Sequence, residues 1–357
     1  MLIGENMSFM QKIITPIATI ANHTLFLDVY SFYRRKKTGS QIAILMYHRI
    51  APENDSWLKN NWSTKPLNPK IFDAQLSYIS KNYEILSLEK LTQYIREHKP
   101  LPKKAIAVTF DDGYKDNYLY AYPILKKYNI PSTVFLPTGH IGTGKLLWWD
   151  EIAYYIHYTS LDNLKLDNLG TYILNSSQER LYAIDKICEE LAHIPEEKKS
   201  YIIREISKKA KVRVPADLGD KRLTLNWEEI REMDNNGVSF GAHGVNHAIL
   251  TNLPFDKAKD EIITSKKEIE EKIGKKVTAF SYPNGNYNQH IIEFLENNDF
   301  SCAVGVQGKL VSLQASIFEL PRLIAFENFN TFKLMLSGLL SDLIEIKAKS
   351  KISRSSK

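Results

Sequence analysis

The sequence AIAVTFDDG, residues 105–113, places two adjacent aspartates directly after an apolar run. The run predicts a buried strand that ends at Phe110, and Gly113 predicts a tight turn after it. One aspartate would be enough to cap a following helix, whereas a second adjacent carboxylate adds charge repulsion. The pair Asp111 and Asp112 therefore indicates that something cationic is bound where this strand ends.

Short apolar runs of the same kind recur along the whole chain. They occupy residues 42–48, 132–137, 238–243, 277–283, 301–306 and 321–326, and helix-patterned stretches such as YAYPILKKYN lie between most of them. Alternation of strands with helices is typical of an α/β fold in which a parallel sheet is covered by helices, and a barrel is one form of such a sheet. We therefore predict an α/β fold with a distorted (β/α) barrel.

The pattern divides the chain into three parts. We predict an N-terminal helical segment over 1–40, the barrel over 41–328, and an amphipathic helix with a basic tail over 329–357. Residues 152–223 have helical periodicity and few strand signals, so we interpret them as a helical insertion in the barrel.

Composition excludes several classes of protein. The chain has 357 residues, of which 43% are hydrophobic and 25% charged, as in soluble globular proteins. No stretch free of polar residues is long enough to span a bilayer. The net charge of +6 is modest and its basic residues concentrate near the chain ends, without interleaved aromatic residues. A nucleic-acid partner is therefore not expected.

The cysteines and the N-terminus bear on location. Cys188 and Cys302 have no metal-type spacing, so we interpret them as free thiols, which mildly favours a reducing compartment. The N-terminal segment has a weak basic region and no clear small-x-small cleavage site. We therefore expect a cytoplasmic protein and regard export as the less favoured alternative.

Both ends of the chain combine apolar and basic residues. The segment from Phe9 to Phe32 runs into four consecutive cations, and residues 332–346 have an amphipathic pattern. The cations that follow these segments are Arg34, Arg35, Lys36 and Lys37 at one end and Lys347, Lys349, Lys351, Arg354 and Lys357 at the other. An apolar face with a basic flank suits peripheral attachment to the inner membrane face. The alternative is that both helices pack on the barrel and the charges are merely solvated.

A second polar cluster follows another predicted strand. The sequence HGVNH, residues 243–247, places His243 and His247 four residues apart at the end of the strand over 238–242. Two neutral imidazoles and one carboxylate suit a divalent ion with open positions for water. Each motif alone is common in loops and caps. Together, at the carboxyl ends of strands of one sheet, they predict a functional site.

These two motifs resemble a known family. TFDDG (109–113) followed by HGVNH (243–247) is similar to the first two motifs of the polysaccharide deacetylases, carbohydrate esterase family four. The resemblance covers about residues 42–326 apart from the insertion, and it implies hydrolysis of an N-acetyl group from an amino sugar. It also implies that Asp111 is the general base, while Asp112, His243 and His247 hold a divalent metal, most often zinc.

The third motif departs from the usual family pattern. FSYPNGNY (280–287) resembles an Arg-x-Pro motif that lines the substrate groove, but Ser281 occupies the arginine position. The sequence is closer to a subgroup with Tyr-Pro-x-Gly and a Tyr-His pair near the N-terminus, which LMYHRI supplies as Tyr47 and His48. The resemblance implies that Tyr282 and Pro283 contact substrate and that His48 protonates the leaving amine.

A replacement for the missing arginine is available near the last predicted strand. Arg322 follows Pro321, and we predict that its guanidinium pairs with Asp111 and holds the base ionised. An ordinary surface or structural salt bridge is the alternative.

Two adjacent aromatic residues precede the insertion. Trp148 and Trp149 end the glycine-rich stretch PTGHIGTGKLLWW, residues 137–149. They either stack on a sugar or pack under the insertion.

The sequence thus predicts a metal-dependent hydrolase that removes N-acetyl groups from an amino sugar in a glycan or a lipid-linked glycan precursor. One alternative is a deformylase or an amidase of non-sugar substrates that uses the same site. Another is a catalytically silent glycan-binding module, against which the intact set of polar residues argues.

Overall fold

The predicted strands form one curled parallel sheet. A computed structural model describes residues 16, 18, 19, 26–53, 65–100, 102–167, 169–215, 218, 222–312 and 314–343. Its strands are β1 (Gln41–Tyr47), β2 (Glu84–Ile85), β3 (Lys104–Phe110), β4 (Ser132–Leu136), β5 (Asn163–Leu166), β6 (Gly170–Ile173), β7 (Val238–Ala242), β8 (Ala279–Ser281), β9 (Cys302–Val304) and β10 (Leu323–Ile324). The sheet order is β10-β1-β3-β4-β7-β8-β9, with β2 added to β3, and all pairs are parallel.

The curl brings the two edges of this sheet together. The Ala303 N–H donates to the Ile317 carbonyl at 3.0 Å, and the Gly305 N–H donates to the Leu320 carbonyl at 2.9 Å. Residues 317–320 lead directly into β10, so they join β9 to the opposite edge. The result is the distorted barrel that the sequence predicted.

The chain forms eleven α-helices within the described residues. They are α1 (Phe26–Thr38), α2 (Pro69–Asn82), α3 (Leu88–Arg96), α4 (Tyr122–Tyr128), α5 (Trp148–Tyr158), α6 (Ser177–Leu191), α7 (Glu196–Ala210), α8 (Trp227–Asp234), α9 (Phe255–Ile273), α10 (Gln289–Glu296) and α11 (Phe329–Ser337). Eight of the eleven pack around the sheet, and α5, α6 and α7 belong to the insertion. Capping boxes at Ser176 with Glu179 and at Asn226 with Glu229 fix where α6 and α8 begin, because each pair satisfies two free backbone N–H groups.

The insertion differs from the purely helical unit that the sequence predicted. It contains α5, α6 and α7, but β5 and β6 form an antiparallel hairpin between the first two helices. Each of these strands has only four residues, and in β5 only Leu164 and Leu166 are buried. Such a short alternation is too weak a signal to detect. The insertion packs around its own apolar cluster, which includes Ile152, Ile184 and Ile206.

Aromatic packing fixes the carboxyl ends of β1 and β3 side by side. The ring of Tyr47 lies 5.0 Å from that of Phe72 and 5.4 Å from that of Phe110, and its hydroxyl donates to Gln75 at 2.9 Å. Tyr47 and Phe110 are also paired in the sheet register. The residues that follow these strands, His48 and Asp111, are therefore neighbours.

The terminal segments are described in part. Helices α1 and α11 are present, but residues 344–357, with the basic tail, and residues 1–25 other than 16, 18 and 19 lie outside the described residues. Within the described residues, no helix has both the length and the apolarity needed to cross a lipid bilayer. Cys188 and Cys302 are buried free thiols, as predicted.

Candidate active site

The two aspartates leave β3 through a turn with unusual backbone angles. Asp112 has φ of +70° and Gly113 has φ of +57°. A Cβ atom on Gly113 would lie 2.8 Å from Cδ2 of Leu136, so a side chain there would collide with the neighbouring strand β4. Glycine therefore permits the turn that directs Asp111 and Asp112 to different partners.

Asp112 meets both histidines of the second motif. Its Oδ1 lies 3.6 Å from Nε2 of His243 and 3.3 Å from Nε2 of His247. One potential ligand atom from each of the three residues lies within 4.8 Å of the others, and all three side chains are buried. The structure thus brings together the three residues that the sequence assigned to a metal.

Hydrogen bonding orients His243 for this purpose. Its Nδ1 lies 2.7 Å from the backbone carbonyl of Ser281. Because a carbonyl can only accept, the proton of the neutral ring is on Nδ1 and the lone pair of Nε2 is directed towards Asp112. The His247 ring packs at 78° to the Trp149 ring with 4.5 Å between centroids, which restrains its rotation.

The segment that carries the histidines is a tight loop rather than a helix. The carboxylate of Glu261, on α9, accepts hydrogen bonds from the backbone N–H groups of Val245 and Asn246 at 2.8 and 2.9 Å. Gly244 has φ of +75°, and a Cβ there would lie 2.9 Å from Glu261 Oε2. Sequence analysis missed Glu261 because nothing in the helical pattern of α9 distinguishes it from the other exposed acids.

The negative charge of Asp112 and the missing hydrogen bond at its Oδ1 suit a bound cation. Burial by itself raises the pKa of Asp112, but the contacts with His243 and His247 outweigh it and hold that pKa well below its usual range. Its Oδ1 is buried and accepts no well-formed hydrogen bond from the described part of the chain. A buried anionic oxygen beside two imidazole nitrogens is a donor set that suits a divalent metal.

The other aspartate makes the contact predicted with Arg322. Nη1 and Nη2 of Arg322 donate to Oδ1 and Oδ2 of Asp111 at 2.7 and 2.6 Å, which is bidentate pairing. Arg322 is fully buried, and its Nε donates to the Gly305 carbonyl at 2.9 Å. The Ser281 hydroxyl accepts from Nη2 at 2.9 Å, so the residue in the family's arginine position contacts the arginine that replaces it.

This pair sets the protonation state of Asp111. Burial raises the pKa of the carboxyl, but the adjacent Arg322 guanidinium outweighs burial and lowers the pKa below its usual range. Asp111 is therefore ionised at neutral pH and can accept a proton.

His48 lies at the same edge of the barrel. It directly follows β1, as Asp111 follows β3, and its charge contributes to lowering the pKa of both Asp111 and Asp112. The side chain is half-buried, and the amide of Asn117 donates to its backbone carbonyl at 2.8 Å. His48 thus combines a fixed backbone with a partly accessible imidazole.

The structure corrects the prediction that Tyr282 and Pro283 of the third motif contact substrate, because both side chains are buried. Tyr282 is fully buried and its hydroxyl donates to the Phe318 carbonyl at 2.8 Å, so its side chain cannot touch a glycan. Pro283 is also buried and packs near Gly244, with its Cγ 3.9 Å from the position of a Cβ there. Pro283 thus packs near the histidine loop, and the Tyr282 ring packs between Phe280 and Tyr287 instead of lining the groove.

Trp148 and Trp149, which could either stack on a sugar or pack under the insertion, differ in exposure. Trp149 is only 8% exposed and lies in the apolar cluster of the insertion, where it also packs on His247, so the packing alternative applies to it. Trp148 is half-buried, with Nζ of Lys199 4.7 Å from its ring centroid. Trp148 therefore remains a candidate for contact with substrate.

Sequence analysis missed a buried ion pair next to His48. Arg49 is buried, and its Nε donates to Oδ2 of Asp116 at 2.9 Å. Oδ1 of Asp116 accepts from the Ile50 N–H at 3.1 Å and from Asn117 at 3.1 Å. These contacts fix the segment that follows β1 and with it the position of His48.

The same pair connects to the insertion through Tyr114. The guanidinium of Arg49 lies 4.5 Å above the Tyr114 ring, whose hydroxyl donates to Asp150 at 2.9 Å and accepts from Nε1 of Trp149 at 2.8 Å. Trp149 in turn packs on His247. The insertion therefore helps to position a residue of the candidate metal site, which no local sequence pattern reveals.

We expect Arg322→Met to reduce both stability and activity. Removing the guanidinium leaves the Asp111 charge buried and unpaired, which costs about 3–5 kcal/mol in the free energy of unfolding. Burial would then raise the pKa of Asp111 and favour its protonated form, so kcat should fall at least about 100-fold. Chemical denaturation and steady-state kinetics would measure the two effects.

The double variant Arg322→Met, Asp111→Asn separates folding from catalysis. It removes the unpaired charge, so it should recover stability without recovering activity. Lys275→Met, which breaks a partly exposed pair with Asp234, is the control and should leave kcat unchanged. A kcat for Arg322→Met within a few-fold of the parent value would refute the role given to this pair.

The protein is a curled parallel α/β barrel with an Asp/His/His cluster beside a buried Asp–Arg pair. These features are those of a hydrolase active site. The sequence matches the family described as "Polysaccharide deacetylase" over residues 98–164 and 171–303. The match covers just over half of the chain, and the chain belongs to this family. His48 and Arg322 lie outside the matched ranges.

Individual relatives agree with the family. YxkH of Bacillus subtilis is 22% identical over 296 residues, covering 83% of this chain and 75% of that protein. The poly-beta-1,6-N-acetyl-D-glucosamine N-deacetylase of Staphylococcus aureus strain N315 is 32% identical over 142 residues, or 36% of this chain. This alignment spans only 48% of the staphylococcal enzyme's length.

Solved structures show the same fold. The Streptococcus pyogenes deacetylase PplD, in complex with acetate, superposes with a TM-score of 0.55 at 22% identity, covering 84% of this chain and 98% of that one. IcaB from Ammonifex degensii superposes with a TM-score of 0.54 at 17% identity, with the same coverage. At these identities the likeness concerns the fold.

Proposed function

We propose that this protein is a metal-dependent N-deacetylase that removes acetyl groups from amino-sugar residues of a glycan or a lipid-linked glycan precursor. The observation that carries the proposal is the convergence of Asp112, His243 and His247 beside an Asp111 carboxylate held by Arg322. Such a site combines a place for a cation with an ionised base, and hydrolysis of an amide requires both.

Asp112, His243 and His247 would hold the metal, and we propose zinc because two imidazoles with one carboxylate suit it. A divalent metal supplies Lewis acidity there, lowering the pKa of water and polarising an amide carbonyl. The Nδ1 hydrogen bond from His243 to Ser281 keeps the ring in the tautomer that offers Nε2.

The remaining residues move protons. Asp111 accepts the proton that water loses as it attacks the amide carbon, and the bidentate contact with Arg322 holds its oxygens in place. His48 donates a proton to the leaving nitrogen, because an unprotonated amide nitrogen is too basic to leave. A base and an acid at adjacent strand ends, after β3 and β1, suit these two roles.

For the substrate we propose an N-acetylglucosamine-containing glycan. The support is the 32% identity with the staphylococcal N-deacetylase. The aligned region spans less than half of that enzyme. We further propose that the protein works in the cytoplasm beside the inner membrane face. The buried free thiols and the cations at both chain ends support this location.

Acetate release tests the proposed activity. Purified protein should release acetate from N-acetylglucosamine oligomers, lose this activity when a chelator removes metal, and regain it when Zn²⁺ is added. The Asp111→Asn variant should bind metal but release no acetate. Release of formate from N-formylated oligomers in preference to acetate would favour the deformylase alternative. Absence of hydrolysis by the metal-loaded protein on every oligomer tested would overturn the proposal.

A further inference from the structure

Helix α1 presents an apolar face to solvent. Phe26, Val29, Phe32 and Tyr33 are 49%, 63%, 53% and 73% exposed, respectively. Single exposed apolar residues are ordinary, but four on one short helix form a continuous patch, and such patches mark interaction surfaces. At 100° per residue the four side chains fall within an arc of about 120°.

The opposite face of α1 attaches the helix to the protein. Leu27 and Ser31 are buried, and Nε of Arg34 lies 3.1 Å from Oδ2 of Asp342. The Tyr30 hydroxyl also donates to Asp342. The exposed apolar arc therefore points directly away from the barrel, and α1 does not need to detach to use it.

Cations border this apolar face. Arg35, Lys36 and Lys37 occupy the last turn of α1, and Nζ of Lys36 lies 4.9 Å from the centroid of the Phe32 ring. The helix contains a single acid, Asp28. An exposed apolar arc with a cationic end is the arrangement of helices that lie in a membrane interface.

A strongly basic stretch of sequence follows Asp342, which contacts α1. The contacts of Asp342 with α1 place the end of the described chain next to this helix, where Leu343 is 44% exposed. Residues 344–357 follow directly, and they contain five basic residues and one acid.

We propose that the outward face of α1 docks on an anionic lipid surface, with the cations in the last turn of α1 facing lipid headgroups. Charge complementarity favours this occupant, since lysine is depleted at protein interfaces, whereas each Lys or Arg near an anionic membrane strengthens binding about fivefold. The helix lies on the surface and does not cross it, as its 13 residues are too few. This proposal is independent of the proposed enzymatic activity.

Vesicle sedimentation of the full chain tests the proposal. The protein should sediment with vesicles of phosphatidylcholine and phosphatidylglycerol at low salt, less at high salt, and weakly with phosphatidylcholine alone. Val29→Asp, Tyr33→Asp should weaken binding at least tenfold, because both positions are exposed and the change places two anions in the apolar arc. The matched control is Tyr182→Asp, Tyr201→Asp in the insertion, whose side chains are 62% and 59% exposed. This control should bind as the parent does.

Three results would overturn the proposal. The first is no sedimentation with anionic vesicles at low salt. The second is equal loss of binding in the α1 variant and the insertion control. The third is a parent chain that does not bind vesicles but forms a dimer which Val29→Asp, Tyr33→Asp dissociates, since the face would then join two copies. Acetate release from soluble oligomers should be unchanged in both variants, which shows that they are folded and keeps this test separate from that of the activity.

Discussion

Replacing His243 or His247 with alanine is expected to abolish deacetylation and to remove most of the bound metal. Each imidazole lies less than 4 Å from the Asp112 oxygen, so either change leaves only two donors. Changes to groups that merely orient ligands already weaken metal binding about 10–100-fold, and loss of a ligand itself should exceed about 100-fold. Metal content of purified variants and a zinc titration of the apoproteins would measure the effect.

Exposed histidines provide the control for this experiment. His193→Ala and His290→Ala remove imidazoles of high exposure that lie outside the site, and both variants should retain metal and activity. Thermal unfolding would show whether the site variants remain folded. Unchanged metal stoichiometry in His243→Ala and in His247→Ala would exclude these residues as ligands, whatever happened to activity.

His48→Ala is expected to lower kcat on amide substrates far more than kcat on aryl esters. An amide needs a proton on its leaving nitrogen, and a positioned general acid contributes about 10²–10⁴ to that rate. An aryl acetate expels a phenolate that leaves without a proton. The variant should therefore lose about 10²–10⁴ in kcat on an acetylated amino-sugar oligomer while keeping most of its activity on an aryl acetate.

Asp111→Asn is the comparison for this prediction. Activation of water is common to amides and esters, so loss of the base should reduce both activities. His48→Gln, which keeps a polar side chain but no titratable group, should behave as His48→Ala does. Equal losses on amide and ester in His48→Ala would show that His48 acts through the metal site or the fold, and the acid would have to be another residue.

Arg322 shows how a departure from a family motif can be compensated elsewhere in the chain. Ser281 carries no charge, and its hydroxyl only donates a hydrogen bond to Oδ2 of Asp111 at 3.3 Å, whereas the guanidinium comes from the other edge of the sheet. Arg322 then contacts Asp111, Ser281 and Gly305 at once. The pairing depends on closure of the barrel, because residues 281 and 322 belong to strands at or near opposite edges of the open sheet order.

The sequence by itself determined the order of the main strands and helices and the three residues of the candidate metal site. Runs such as residues 42–48 and 105–110 are buried on both faces of a parallel sheet, so they are apolar throughout and easy to recognise. His243, His247 and the pair of aspartates could be predicted as one site because each directly follows or closely trails such a strand, and parallel strands end at one edge. That Asp112 rather than Asp111 is the ligand was implied only by the family resemblance. β2 escaped detection because two residues cannot form a pattern.

The side-chain environment was decided only by the tertiary structure. Sequence analysis assigned Tyr282 to substrate contact and left Trp149 open between substrate contact and packing, yet both side chains are buried, because a motif does not show which face its side chains point to. Glu261 and Asp116 act on the site from helix α9 and from the short helical stretch that follows Tyr114, through contacts that no periodicity encodes. Burial, closure of the barrel and contacts between residues far apart in the chain are properties of the assembled fold, and for that reason local sequence patterns could not reveal them.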